Sequence, residues 1–151
     1  MRAVVQRVAN ASCVVEGEEV AKINKGLIAF VGVCDDDTDE DAKKLAHKIS
    51  CLRVFKDEND KLSLDAKAVG GSVMVISNFV LAGRVTHGFR PDCTHAAKYD
   101  EGKRLYELVI SLIGEELPVC HGVFGAHMEI AALNDGPINV IIDTKELRSA
   151  K

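Results

Sequence analysis

A chain of 151 residues with 47% hydrophobic content is long enough to bury one core without disulfides or a structural metal, and no second domain is expected. Its formal net charge of −4 excludes a protein that coats long nucleic acid through a broad basic surface. Its longest apolar runs, 26–34 and 73–79, fall far short of the roughly 20 residues that cross a bilayer, so a soluble, cytoplasmic protein without membrane contact is expected.

Residues 2–8, RAVVQRV, have the β-branched character of a strand, and 12–15 and 20–23 flank EGEE as the arms of a hairpin. LIAFVGV at 27–33 is apolar on both alternating faces, which predicts a central strand covered on both sides. Thr38 with Asp41 three residues on has the form of a capping box, and Ala42, Leu45, Ala46 and Ile49 at helical spacing predict a helix over 39–51. LRVF at 52–55 reads as a strand, KDENDK as a turn, and SVMVISNF at 72–79 as a buried strand fed by the loop 68–71.

Leu105, Leu108, Val109 and Leu112 form one apolar stripe and predict a second helix over 97–113. HMEIAAL at 127–133 alternates as a strand, NDGP breaks it, INVIID supplies a last strand, and TKELRSAK is expected to fray. Two helices and about seven strands predict an α/β fold: a single compact domain of layered mixed β-sheets with two main helices, residues 1–145. Residues 146–151 form a charged C-terminal tail.

The chain has no G-x-S-x-G elbow, P-loop, dinucleotide fingerprint or H-E-x-x-H, which removes many enzyme classes. His47, His87, His95, His121 and His127 include no i, i+4 pair, and DDDTDED lacks the ligand pattern of a calcium loop, so neither a metal nor a cofactor is expected. Five cysteines, an odd number without a C-x-x-C pair, are expected to be reduced, buried thiols. From 84 to 104 the charge turns basic, with Arg84, Arg90, Lys98, Lys103 and Arg104 against Asp92, Asp100 and Glu101. That stretch reads either as a solvated face or as a short phosphate contact through Arg84, Arg90 and Lys98.

Five segments stand in a fixed order: MRAVVQRV, GGSVMVISNFVLAG, GFRP at 88–91, GVFGAHM at 122–128 and NDGPIN at 134–139. Together they resemble the D-aminoacyl-tRNA deacylases over nearly the whole chain. The resemblance implies a homodimeric hydrolase that cleaves the ester between a D-amino acid and the 3′ end of tRNA, with glycyl-tRNA as a further substrate. The family's Ser-Gln-x-Thr motif falls on Ser77, Asn78, Phe79 and Val80, the implied catalytic segment. Its Gly-Pro-x-Thr motif falls on Gly136 and Pro137, with Asn139 in place of the threonine.

The resemblance also implies a cis Gly136-Pro137 peptide that reaches into the other subunit and rejects L-amino acids, supported by Arg7. Only about 5–6% of X-Pro bonds in folded proteins are cis, so this expectation rests on the resemblance. Phe124, Gly125, Ala126 and Met128 are the implied contacts of the terminal adenosine, Phe124 as an apolar surface or as core. Val80 keeps the branched shape of threonine without its hydroxyl, so it can neither attack nor donate a hydrogen bond. Main-chain N–H groups at the end of the 72–79 strand remain as donors for the oxyanion of ester hydrolysis. The alternative is a homologue that binds an aminoacyl-tRNA end or related conjugate without hydrolysis, or with an altered substrate.

Overall fold

The structure, a computed structural model, describes residues 1–148. A fourteen-residue strand, β1 (Arg2–Val15), is its spine. One edge of β1 carries β8 (Glu129–Asp143), antiparallel along almost its whole length. The other edge pairs first with β3 (Gly26–Gly32) through Arg2 to Val8, then with β2 (Glu18–Ile23) through Ala11 to Val15. Beyond β3 lie β6 (Ser72–Ser77) and β7 (Val119–His121), all three parallel. A short antiparallel ribbon, β4 (Phe55–Lys56) with β5 (Leu62–Leu64), completes the strands. Two crossovers build the parallel part, β3 to β6 through α1 (Asp39–Ser50) and β6 to β7 through α2 (Tyr99–Gly114).

The sheet has a core on each face. Ala3, Val5, Leu27, Ala29, Val73 and Val75 point to the helices, where Leu45, Ile49, Leu105 and Val109 meet them. Ile28, Met74 and Ile76 point the other way and are covered by Val8, Ala11, Cys13, Ala21 and Ile23 as the β1–β2 hairpin curls over them. A register shift after Val8 lets β1 turn Ala11 and Cys13 to that second core although Ala3 and Val5 face the first. Burying each large aliphatic side chain contributes about 1.5–3 kcal/mol, which explains why β3 and β6 are apolar at nearly every position.

Helix α1 starts as the sequence predicts, with the reciprocal capping box of Thr38 and Asp41. Asp41 does more than cap. Burial works against its charged form, yet bonds from the Thr144 hydroxyl (2.7 Å), the Thr38 N–H (3.0 Å) and Lys145 Nζ (3.2 Å) hold its carboxyl well below the usual range. The same contacts correct the expected fraying of 144–151 within the described residues: Thr144 is buried, 144–146 form a 3-10 turn and Leu147 packs on the core. Residues 149–151 of the predicted tail lie outside the described part.

Other expectations shift. LRVF yields only the two-residue β4, with Arg53 Nε donating to the Ser63 carbonyl at 2.6 Å. The 72–79 strand stops at Ser77. NDGP does not break β8 into two strands, because 129–143 continue through it. Only Cys13 among the cysteines is buried; Cys34, Cys93 and Cys120 are half-buried, and Cys51, at the carboxyl end of α1, is exposed. No helix among the described residues is long and apolar enough to cross a membrane.

Candidate active site

The carboxyl ends of β3, β6 and β7 point the same way, and where parallel strands end side by side a crevice opens. Here it is a cleft of about 470 Å³. Val31 and Val33 line one wall, the segment Ser77 to Val80 forms the floor, and Phe124, Gly125, Ala126 and Met128 form the opposite wall with Tyr99 of α2.

The floor is shaped by a sharp exit from β6. Asn78 N–H donates to the Val31 carbonyl at 2.8 Å, which extends the ladder by one bond. The chain then folds into a 3-10 turn, Phe79–Ala82, closed by Leu81 N–H to Asn78 O at 3.3 Å and Gly83 N–H to Val80 O at 2.8 Å. The amides of Phe79 and Val80 open this turn and take no hydrogen-bond acceptor among the described residues. Gly32 makes the turn possible: a Cβ there would stand 2.8 Å from Leu81 Cβ and 2.9 Å from the Asn78 carbonyl oxygen.

The opposite wall is an aromatic arrangement. Phe124 meets Tyr99 edge-on, with ring centroids 5.2 Å apart, and Tyr106 at a tilt, 5.4 Å away. Such pairs contribute about 0.5–1.5 kcal/mol beyond area burial and fix the ring plane. Burial pushes the Tyr106 phenol above its ordinary range, so it is a neutral donor, bonded to the Val75 carbonyl at 2.9 Å. That carbonyl also accepts the Gly122 N–H at 3.1 Å, which ties the chain leaving β7 to β6. Phe124 thus both packs on the core and lines the cleft.

The remaining residues read as functional from the sequence gather elsewhere, where β8 pairs with β1. Gln6 faces Asn139 and Val8 faces Asn134, so the single residue Arg7 stands opposite the four residues 135–138. Those four form an excursion with a cis Gly136-Pro137 peptide at its centre. Buried Arg7 donates to the Asp135 carbonyl and to the Val54 carbonyl, both at 2.8 Å. Asn134 Nδ2 bonds the Arg7 and Ile138 carbonyls at 3.0 and 3.2 Å, bracing the excursion from below. Gly136, Pro137 and Asn139 are exposed and do not line the cleft of their own chain. His87 also lies away from it, on an exposed loop beside Thr86.

The family model described as D-Tyr-tRNA(Tyr) deacylase matches residues 4–143. The chain belongs to this deacylase family. A D-aminoacyl-tRNA deacylase of Thermotoga petrophila is 47% identical over 148 residues, 97% of this chain and 99% of the relative. One from Caldicellulosiruptor bescii is 46% identical over the same shares. Among solved structures, a c-Myc DNA unwinding element binding protein superposes with a TM-score of 0.90 at 31% identity, covering 95% of this chain and 98% of that one. A probable eukaryotic D-amino acid tRNA deacylase shares the fold, with a TM-score of 0.79 at 14% identity over 93% and 97% of the two chains.

Within this deacylase fold the structure adds cleft residues that sequence reading passed over, chiefly Val31, Val33, Ala96, Ala97, Tyr99 and Gly102. A signal for the valines existed: parallel β3 and β6 imply a site at their carboxyl ends. Tyr99 and Gly102 had none, since the first turn of α2 reaches the cleft only through tertiary packing.

Proposed function

We propose that the chain is a working D-aminoacyl-tRNA deacylase, which hydrolyses the ester joining a D-amino acid to the 3′ end of tRNA and releases the amino acid and free tRNA. The observation that carries this reading is the pair of unpartnered amides, Phe79 and Val80, on the floor of an apolar cleft in a member of the deacylase family. The ester carbonyl oxygen points to these amides. Water, oriented with help from the terminal 2′-hydroxyl, adds to the carbonyl carbon, the amides hold the oxyanion, and the bond to the ribose oxygen breaks as that oxygen takes a proton. The terminal adenine lies against Phe124, with main-chain atoms of Gly125, Ala126 and Met128 beside it.

The Gly136-Pro137 excursion works in trans. It stands outside its own cleft, is exposed, and sits between exposed Leu133 and Ile141, which suits the face of a homodimer. In the partner's cleft it blocks the side chain of an L-amino acid, while glycine, with no side chain, escapes rejection, so glycyl-tRNA is a second substrate.

One observation favours a binding homologue without turnover: Val80 and Asn139 stand where the family motifs carry threonine hydroxyls. Hydrolysis of D-tyrosyl-, L-tyrosyl- and glycyl-tRNA by the purified protein decides between them. The deacylase reading expects release from the D and glycyl esters and not from the L ester; inertness toward all three establishes the binding homologue.

A further inference from the structure

The chain that leaves the cleft floor continues into a hairpin. Arg84 and Asp92 close it with two main-chain bonds, Arg84 N–H to Asp92 O at 2.9 Å and Asp92 N–H to Arg84 O at 2.8 Å. Both limbs are rooted in the cleft wall. Gly83, just before the hairpin, is bonded to Val80, and just after it Ala97 N–H donates to the Val33 carbonyl at 3.0 Å, with Val80, Val33 and Ala97 all lining the cleft.

Every residue from Arg84 to Asp92 is exposed. Phe89 presents its whole ring to solvent, at 103% relative exposure, and Gly88 before it takes a left-handed φ of 69° that makes the tip. From 84 to 98 the cations Arg84, Arg90 and Lys98 stand against one carboxylate, Asp92, on a chain whose net charge is −4. The Asp92 carboxylate accepts the Thr94 N–H at 3.0 Å. Arg84, Arg90 and Lys98 form no ion pair among the described residues, whereas Lys103 and Arg104 just beyond are paired with Glu107, Glu101 and Asp39.

We infer that this hairpin, with Lys98 at the start of α2 beyond it, is an RNA-binding arm: Arg84, Arg90 and Lys98 hold phosphates of the single-stranded end whose last nucleotide occupies the cleft, and Phe89 stacks on an unpaired base. Unpaired cations with one exposed aromatic ring are the combination that single-stranded nucleic acid selects. A second copy fits worse, because symmetric pairing of the hairpins would bring the same cations together. The inference rests on the proposed deacylase reading and adds where the RNA runs after it leaves the active site.

The test compares Arg84→Ala/Arg90→Ala and Phe89→Ala with wild type on two substrates, D-tyrosyl-tRNA and D-tyrosyl-adenosine, the second carrying no phosphate. The double variant is expected to raise KM for the tRNA at least tenfold with kcat within twofold, and to leave hydrolysis of the adenosine ester unchanged. Its affinity should also lose about 1.4–1.8 from the slope of log K against log salt, roughly 0.7–0.9 per phosphate contact. Phe89→Ala should weaken binding of deacylated tRNA about fivefold or more. Equal losses on both substrates, or no loss on tRNA, overturn the arm while leaving the deacylase reading intact. If wild type hydrolyses neither ester, that reading fails, and the arm stands or falls on whether the double variant binds deacylated tRNA more weakly. A change of oligomeric state in Phe89→Ala with unchanged tRNA affinity assigns the ring to a second copy and also overturns the arm.

Discussion

The cleft floor and the Gly136-Pro137 excursion are made by opposite means. The floor, Ser77 to Ala82, hangs from β6 between two cores, and its path is dictated by the contact of Gly32 with Leu81 and Asn78. The excursion lies on exposed β8, and its main ties are the side chains of Arg7 and Asn134. On the proposed reading the floor is a reaction centre built from main chain, as rigid as the core that carries it. On the same reading the excursion is a selectivity element that depends on a few side-chain bonds and on a second subunit.

The largest effect is expected of Phe79→Pro. Phe79 opens the 3-10 turn and Asn78 before it is extended (φ −144°, ψ 91°), so proline fits the backbone and removes the N–H together with the ring, for which Phe79→Ala is the control. Single-turnover hydrolysis should fall about 100 to 1,000-fold, with the circular dichroism spectrum unchanged. Full activity in the folded variant would end the main-chain mechanism.

Gly32→Ala attacks the same floor from beneath. The added methyl displaces the Asn78 carbonyl or Leu81, so kcat should drop on the order of tenfold, with about 1–3 kcal/mol lost in urea unfolding. Arg7→Ala addresses the other region. It should cost a similar 1–3 kcal/mol, because the buried Val54 carbonyl and the partly buried Asp135 carbonyl lose their donor, yet leave kcat for D-tyrosyl-tRNA within a few-fold. Its signature is a gain of L-tyrosyl-tRNA hydrolysis; unchanged chiral preference would detach the excursion from selectivity. The smallest effect belongs to Val80→Thr. Side-chain chemistry at 80 is secondary on this account, and rates within twofold of wild type are expected; a large gain would show that a hydroxyl had been missing.

What the sequence made legible follows the range of the forces involved. Helix α1 is written locally, in the Thr38 and Asp41 cap and the stripe from Ala42 to Ile49, and β3 in its unbroken apolar run. The end of β6 is not local. Phe79 continues the strand pattern, and only the packing of Leu81 over Gly32, 49 positions earlier in the chain, bends it into a turn. NDGP looks like a break because each residue disfavours a strand, but pairing with β1 on both sides carries β8 through it. The site motifs were visible only through family likeness, since nothing in the spacing of Ser77, Phe124 and Gly136 joins them. That likeness named residues of both regions and, by implying a Gly136-Pro137 loop that reaches into another subunit, separated them within one chain, as the structure does.

The cleft contains no His, Asp, Glu, Lys or Arg among the described residues that line it. On the proposed reading, proton transfer is then the work of solvent and of the ribose. The pH–rate profile of the reaction should then lack the bell shape that a protein acid and base impose, and follow the chemistry of the ester instead. Ser77 shares the cleft without a histidine or carboxylate bonded to it among the described residues, so its hydroxyl stays an ordinary alcohol. Fluorophosphonates, which label activated serines, should pass this hydrolase by.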